Sequence, residues 1–66
     1  MTTHRLILET NDIDHAMEIA SWANANCNTL LTSDVVDTTD VSYLHDYSVV
    51  LDFGDMADMI MCRMVW

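Results

Sequence analysis

The last fourteen residues, FGDMADMIMCRMVW (Phe53 to Trp66), concentrate side chains that could bind a soft metal. They hold four of the six methionines and one of the two cysteines. Thioether and thiolate sulfur suit Cu(I). Alternation along a strand, however, would place Met61 and Cys62 on opposite faces, and methionine also fills gaps in small cores. We therefore predict that Cys62 and Met64 pack in a core while Met61 lies on the other face of the sheet, and that the chain has no metal site and no bound cofactor.

Other catalytic and metal-binding patterns are incomplete. The three histidines lie in a predicted strand, helix and loop, and the spacing pairs none of them with a cysteine nucleophile. The aspartates of residues 34–46 lack the D-x-D-x-D-G spacing of a calcium loop and its glycine. Cys27 and Cys62 form no CxxC pair, and we expect two buried thiols rather than a disulfide. The sequence therefore predicts a protein that is not an enzyme.

Charge is the most unusual property of the composition. Eleven acidic residues, nine of them Asp, stand against two arginines and no lysine, for a net charge of −9. Such a surface repels nucleic acid and anionic membranes and attracts basic surfaces. Two arginines cannot build a groove that follows phosphates, so we expect no direct nucleic-acid binding. The acids serve either solubility, as in high salt, or a partner with a basic surface, and charge alone leaves both open.

Length and hydropathy indicate one small domain, residues 1–66, with one core. An apolar fraction of 52% argues against disorder. No apolar run approaches the roughly 18 residues of a membrane helix, and the N-terminal residues MTTHRLILE lack the design of a signal peptide. We therefore expect a cytoplasmic protein without a membrane partner.

Hydrophobic periodicity predicts six elements. Asn11 is the predicted N-cap of the first helix and Asp55 that of the second. Strand 29–36 is indicated by β-branched residues but alternates poorly. In the polar stretch before the next strand, Val41, Tyr43 and Leu44 predict a helical turn after Asp40. The elements are, in order, strand 4–9, helix 12–26, strand 29–36, strand 47–53, helix 55–60 and strand 61–66.

The order βαββαβ indicates an α+β fold of the ferredoxin-like type, an antiparallel sheet with both helices on one face. The helix-facing side of the sheet should then form the core. Its predicted members are Leu6, Leu8, Tyr47, Val49, Leu51, Phe53, Cys62, Met64 and Trp66.

The first candidate binding surface is the open sheet face opposite the helices, which is apolar enough for homodimerisation. Arg5 and Arg63 should lie on adjacent strands there, or simply pair with Glu9 and Asp52. The predicted members of this surface are Arg5, Ile7, Val50, Met61, Arg63 and Val65.

The second candidate surface is a row of carboxylates along the outer faces of the helices and the neighbouring loop. Such a row could imitate DNA phosphates and occupy a basic nucleic-acid channel, or it could be a solvated face alone. Its predicted members are Asp12, Asp14, Glu18, Asp34, Asp37, Asp40, Asp55 and Asp58.

The C-terminal segment resembles the ends of small uncharacterised ferredoxin-like proteins of tailed bacteriophages, including those of cyanobacteria. Their chains often finish with a Phe–acidic–Asp-Ala–Phe-Lys-Leu-Arg-Trp run. The matching positions, over about a fifth of the chain, are Phe53, Asp55, Asp58, Arg63 and Trp66. Cys62 stands where the pattern has Lys. The resemblance implies a ferredoxin-like fold and a phage-like origin, and it implies no activity.

Charge and resemblance together predict a small acidic phage-type protein that binds a host protein with a basic surface. Inhibition or modulation of a nucleic-acid enzyme in the host cytoplasm, by DNA mimicry or as an anti-defence or transcription-modulating factor, is the expected role. The alternative is a homo-oligomeric accessory or structural protein that uses the open sheet face as its interface.

Overall fold

Two helices cover one face of an antiparallel sheet. The computed structural model describes residues 3–41 and 44–66, and over these residues the sheet has three strands in the order β1-β3-β2. The elements are β1 (His4–Thr10), α1 (Ile13–Asn26), β2 (Leu30–Asp37), β3 (Tyr47–Phe53) and α2 (Met56–Val65). The α+β class and the antiparallel sheet are thus confirmed. The helical turn predicted over Val41, Tyr43 and Leu44 lies partly outside the described residues.

The central strand β3 forms the middle of the core because it is paired on both sides. Its alternate residues Val49, Leu51 and Phe53 are fully buried, as their period of two requires. On β1, Leu6 lies opposite Leu51 and is buried with it. α1 contributes three buried residues at helical spacing, which are Ala16, Ile19 and Ala23.

α1 begins at a cap one residue later than the sequence predicts. Asp12 has an extended backbone, and its carboxylate accepts a hydrogen bond of 3.0 Å from the Asp14 amide. The predicted cap, Asn11, instead accepts from the Asp46 amide at 3.0 Å through its Oδ1. Asn11 therefore ties the connection before β3 to the start of the helix.

The predicted final strand over 61–66 is wrong, because these residues continue α2. Met59, Cys62 and Trp66 recur at helical spacing and turn toward the core. Asp55 caps the helix as predicted and accepts from the Ala57 amide at 3.0 Å. Over the described residues the sheet thus has three strands, against the four of a ferredoxin-like βαββαβ fold.

The longer helix changes the predicted core at one position. Cys62 is fully buried and Trp66 packs partly buried against the core, as expected. Met64 points to solvent instead, with 82% of its surface exposed. The Trp66 indole lies edge-on to Trp22 at 6.3 Å and to the His15 ring at 5.3 Å between ring centroids. These contacts fasten the end of α2 to α1.

Asp58 joins α2 to the turn between α1 and β2. Its Oδ2 accepts from the Thr29 amide at 3.0 Å and from the Thr29 hydroxyl at 2.5 Å. The Thr29 carbonyl in turn accepts from the Gly54 amide at 2.8 Å. This half-buried carboxylate therefore holds two connections together.

Replacement of Asp58 by alanine is expected to lower the free energy of unfolding by about 2 kcal/mol, since two charge-assisted hydrogen bonds disappear and a half-buried amide loses its partner. Urea unfolding measures the change. Asp40→Ala, at an exposed carboxylate in the 38–46 connection, is the control and should stay within about 0.5 kcal/mol of wild type. Equal effects of the two substitutions would contradict this role of Asp58.

The two cysteines are buried free thiols, as the sequence predicts. Burial raises the pKa of Cys62 to about 11, and Cys27 contributes as a second cause. A pKa of about 11 against 9.0 leaves about 100-fold less thiolate at pH 8 than an ordinary thiol has. We expect native Cys62 to react with iodoacetamide at least 100-fold more slowly than in urea-unfolded chain. Fast native alkylation, followed by mass spectrometry, would contradict its burial.

Candidate protein-binding surfaces

One end of the sheet gathers more than half of the carboxylates. β1 and β2 end there, and α1 and β3 begin there, because Tyr47 lies opposite both Thr10 and Asp37 in the register. We call this surface the acidic end and define it by Glu9, Asp12, Asp14, Asp37, Asp40 and Asp46.

Hydrogen bonds hold residues 38–41 and 44–46, the described parts of the connection between β2 and β3, at the acidic end. The Thr38 amide donates to the Asp46 carbonyl at 2.8 Å, and the Thr38 hydroxyl donates to the His45 carbonyl at 3.0 Å. His45 Nε2 lies 3.0 Å from the Glu9 carboxylate. Asp40 and Asp46 therefore lie in stretches of backbone that hydrogen bonds hold in place, and the other carboxylates lie at the ends of regular elements.

The acidic end has little compensating positive charge. Neither arginine of the chain belongs to it, and the basic side chains beside it are two histidines: His45, 3.0 Å from Glu9, and His15 in the first turn of α1. Hydrogen bonds from Thr39 lower the pKa of Asp37, which keeps that carboxylate ionised. Most of these acids are exposed, and Glu18 adds another one turn beyond Asp14. The arrangement can attract and orient a basic surface.

The structure divides the predicted acidic row. Asp12, Asp14, Asp37 and Asp40 meet at the acidic end, but Asp34 lies on the open sheet face opposite Val50. Asp55 and Asp58 lie beyond the opposite end of β3 and serve as a helix cap and as the acceptor for Thr29.

Sequence reasoning missed Glu9 as a member of the acidic end, and it placed Asp46 in the acidic 34–46 loop without bringing it next to Glu9. They meet only because β1 and β3 pair antiparallel with Thr10 opposite Tyr47. The sequence does contain a signal for this contact. Glu9 ends the predicted strand 4–9, Asp46 directly precedes the predicted strand 47–53, and antiparallel pairing of these strands brings the two residues together.

On the open sheet face, Asp52 bridges the two edge strands. Arg5 Nε lies 2.9 Å and Arg5 Nη2 3.3 Å from its carboxylate oxygens, and the Thr32 hydroxyl donates to Oδ2 at 2.8 Å. The Arg5 hydrogen bond, followed by that of Thr32, lowers the pKa of Asp52. Of the two interpretations of Arg5, pairing with Asp52 is therefore the one that the geometry supports.

The Arg5–Asp52 pair should make the free energy of unfolding depend on pH in the acidic range. The native pKa of Asp52 is below its ordinary value of 3.8, so the unfolded chain binds the proton first as pH falls. The stabilisation is therefore complete above about pH 5 and is lost as pH falls through the native pKa. We expect the difference in unfolding free energy between wild type and Arg5→Gln to shrink below about pH 4. Urea titrations across pH measure it, and a constant difference would contradict the pairing.

Half of the predicted open-face surface is absent from the sheet. Met61, Arg63 and Val65 lie on α2, on the other side of the sheet, because the predicted final strand is a helix. The expected adjacency of Arg63 to Arg5 on neighbouring strands is therefore wrong. Arg5, Ile7 and Val50 remain on the open face, with Ile7 54% exposed.

The soft-metal side chains of α2 do not converge on one surface. Cys62 points into the core, whereas Met56 and Met64 are exposed on the opposite side of the helix. Among residues 3–41 and 44–66, no group of three or more His, Cys, Asp or Glu side chains is arranged to hold a metal ion.

Comparison with known proteins gives no relative from which a function could be transferred: no family model, curated protein or solved structure matches the chain. In the described part of the chain, neither helix has the length and apolar character needed to cross a membrane.

Proposed function

We propose that this chain is a small non-enzymatic binding module of bacteriophage type whose acidic end contacts a host protein with a basic surface. The single observation that carries the proposal is the convergence of six carboxylates from four segments of the chain on one end of the sheet. The proposed partner is a nucleic-acid enzyme of the host cytoplasm, whose basic channel the acidic end would occupy in place of phosphates.

The contacts that hold the acidic end in place support a role in binding rather than in solubility alone. A purely solubilising charge needs no fixed geometry, yet residues 45–46 are held in place: His45 lies 3.0 Å from the Glu9 carboxylate of β1, and the Asp46 amide donates to Asn11, just before α1. Carboxylates held in place lose less conformational entropy when a partner binds. They also steer the approach of a positively charged surface, and this steering weakens with salt.

Affinity capture from a bacterial lysate tests the proposal with two matched variants. Asp12→Asn/Asp40→Asn removes two charges and keeps a good N-cap for α1 at the acidic end. Asp34→Asn/Asp55→Asn removes two charges elsewhere and likewise keeps the α2 cap. We expect wild type and the second variant to retain the same nucleic-acid enzymes and the first variant to lose them. Equal retention by both variants would contradict the proposal.

A further inference from the structure

We propose that Val41 and Leu44 form an apolar contact at the acidic end for a basic groove of the partner that also presents aromatic side chains. The inference rests on the proposed function and identifies the kind of groove that the partner uses. Val41 is 81% exposed and Leu44 is 78% exposed, and among the large apolar residues of 3–41 and 44–66 only Met64 is more exposed. We call Val41 and Leu44 the apolar pair.

Contacts of the neighbouring backbone place the apolar pair at the acidic end. The Val41 amide donates to the Thr38 carbonyl at 3.1 Å, at the start of the connection. Leu44 directly precedes His45, whose Nε2 lies 3.0 Å from the Glu9 carboxylate. Three positions separate the two apolar residues, so their Cα atoms are at most about 11 Å apart. The apolar pair therefore lies at the same end of the sheet as the carboxylates.

The apolar pair supplies a kind of affinity that the carboxylates do not. Exposed charges attract and orient a basic surface, but each exposed ion pair adds little to the final affinity. Burial of apolar side chains adds affinity that salt does not screen. Protein interfaces accordingly combine an apolar centre with a polar rim, and the acidic end offers both.

Charge and apolar surface together identify the groove. A groove that binds single-stranded nucleic acid combines basic side chains that follow the phosphates with aromatic side chains on which bases stack. The carboxylates of the acidic end would take the positions of the phosphates, and the apolar pair would take those of the bases. A surface that contacts only the phosphates of a duplex would leave the apolar pair in water. The net charge of −9 disfavours a second copy and an anionic membrane as occupants.

Titration of the full chain with two synthetic peptides of equal length and equal charge tests the inference. One peptide alternates lysine with phenylalanine, and the other alternates lysine with serine. We expect wild type to bind the first peptide at least about 10-fold more tightly, and Val41→Ser/Leu44→Ser to lose most of this preference. Met17→Ser/Met64→Ser, at two exposed methionines of the helices, is the matched control and should keep the preference. Circular dichroism establishes that each variant is folded.

The two peptides separate the inference from the proposed function. Asp12→Asn/Asp40→Asn should weaken binding of both peptides alike, because it removes charge and no apolar contact. Equal affinity of wild type for the two peptides, or binding of neither, would overturn the inference. A preference that survives in the variant of the apolar pair, or one that the methionine control loses, would overturn it as well. Binding of both peptides by the aspartate variant as tightly as by wild type would instead contradict the proposed function.

Discussion

Replacement of Phe53 by alanine is expected to unfold most of the protein. The ring is fully buried at the end of the central strand, and loss of a buried phenylalanine costs about 3–5 kcal/mol. A core in a chain of this size supplies roughly 3–5 kcal/mol in total, so the substitution removes most of the stability. The tyrosine and tryptophan signals of near-ultraviolet circular dichroism should collapse.

Ile7→Ala is the control for this experiment. Ile7 also lies on a strand, but its side chain is more than half exposed on the open sheet face. Its truncation should cost less than about 1 kcal/mol. A folded Phe53→Ala with a stability equal to that of Ile7→Ala would show that the core is not centred on β3.

Reversal of two charges at the acidic end is expected to weaken binding to the captured basic partner by about 1,000-fold. Asp12→Lys/Asp40→Lys changes the charge of this surface by four, and each nearby charge pair contributes about 1 kcal/mol in water. Calorimetric titration of the purified partner measures the loss in affinity.

The matched control is Asp34→Lys/Asp55→Lys, which makes the same change in charge on other surfaces. It also removes one helix cap, that of α2, as the first variant removes the cap of α1. Both variants should therefore lose similar stability, and a difference in affinity reports the location of the charge. Equal weakening by the two variants would show that net charge alone governs binding.

The strands could be predicted from sequence because their two faces differ in polarity. Residues 47–53 alternate between core positions and positions such as Asp52, and the observed strand has the predicted bounds. β2 (Leu30–Asp37) is displaced by one residue from the predicted 29–36, and its pairing with β3 is shifted between Leu30 and Thr32. Such a shift in register depends on how β2 pairs with β3, so the sequence of β2 alone does not predict it.

α2 was mistaken in part for a strand because both of its sides are apolar. Residues 61–66 satisfy a period of two and a helical period equally well, and only packing of Cys62 and Trp66 against the core distinguishes them. Asp58 is a second case, since its bonds to Thr29 span 29 positions in sequence and carry no local pattern.

The acidic end could be predicted only in part. Asp12 and Asp14 are close in sequence, as are Asp37 and Asp40, and the predicted acidic row contains all four. Glu9 and Asp46 join them through strand register and through Asn11, which the sequence suggested as a helix cap. The composition indicates how much charge the chain carries, and the register determines where it is concentrated.

Salt dependence of affinity for the captured partner tests the central claim most directly. The affinity of wild type, Asp12→Asn/Asp40→Asn and Asp34→Asn/Asp55→Asn should be measured from about 50 to 400 mM salt. We expect a steep loss of wild-type affinity with salt, a shallower loss for the acidic-end variant and a wild-type slope for the control. An affinity that does not change with salt, or one slope shared by all three proteins, would contradict binding through the acidic end.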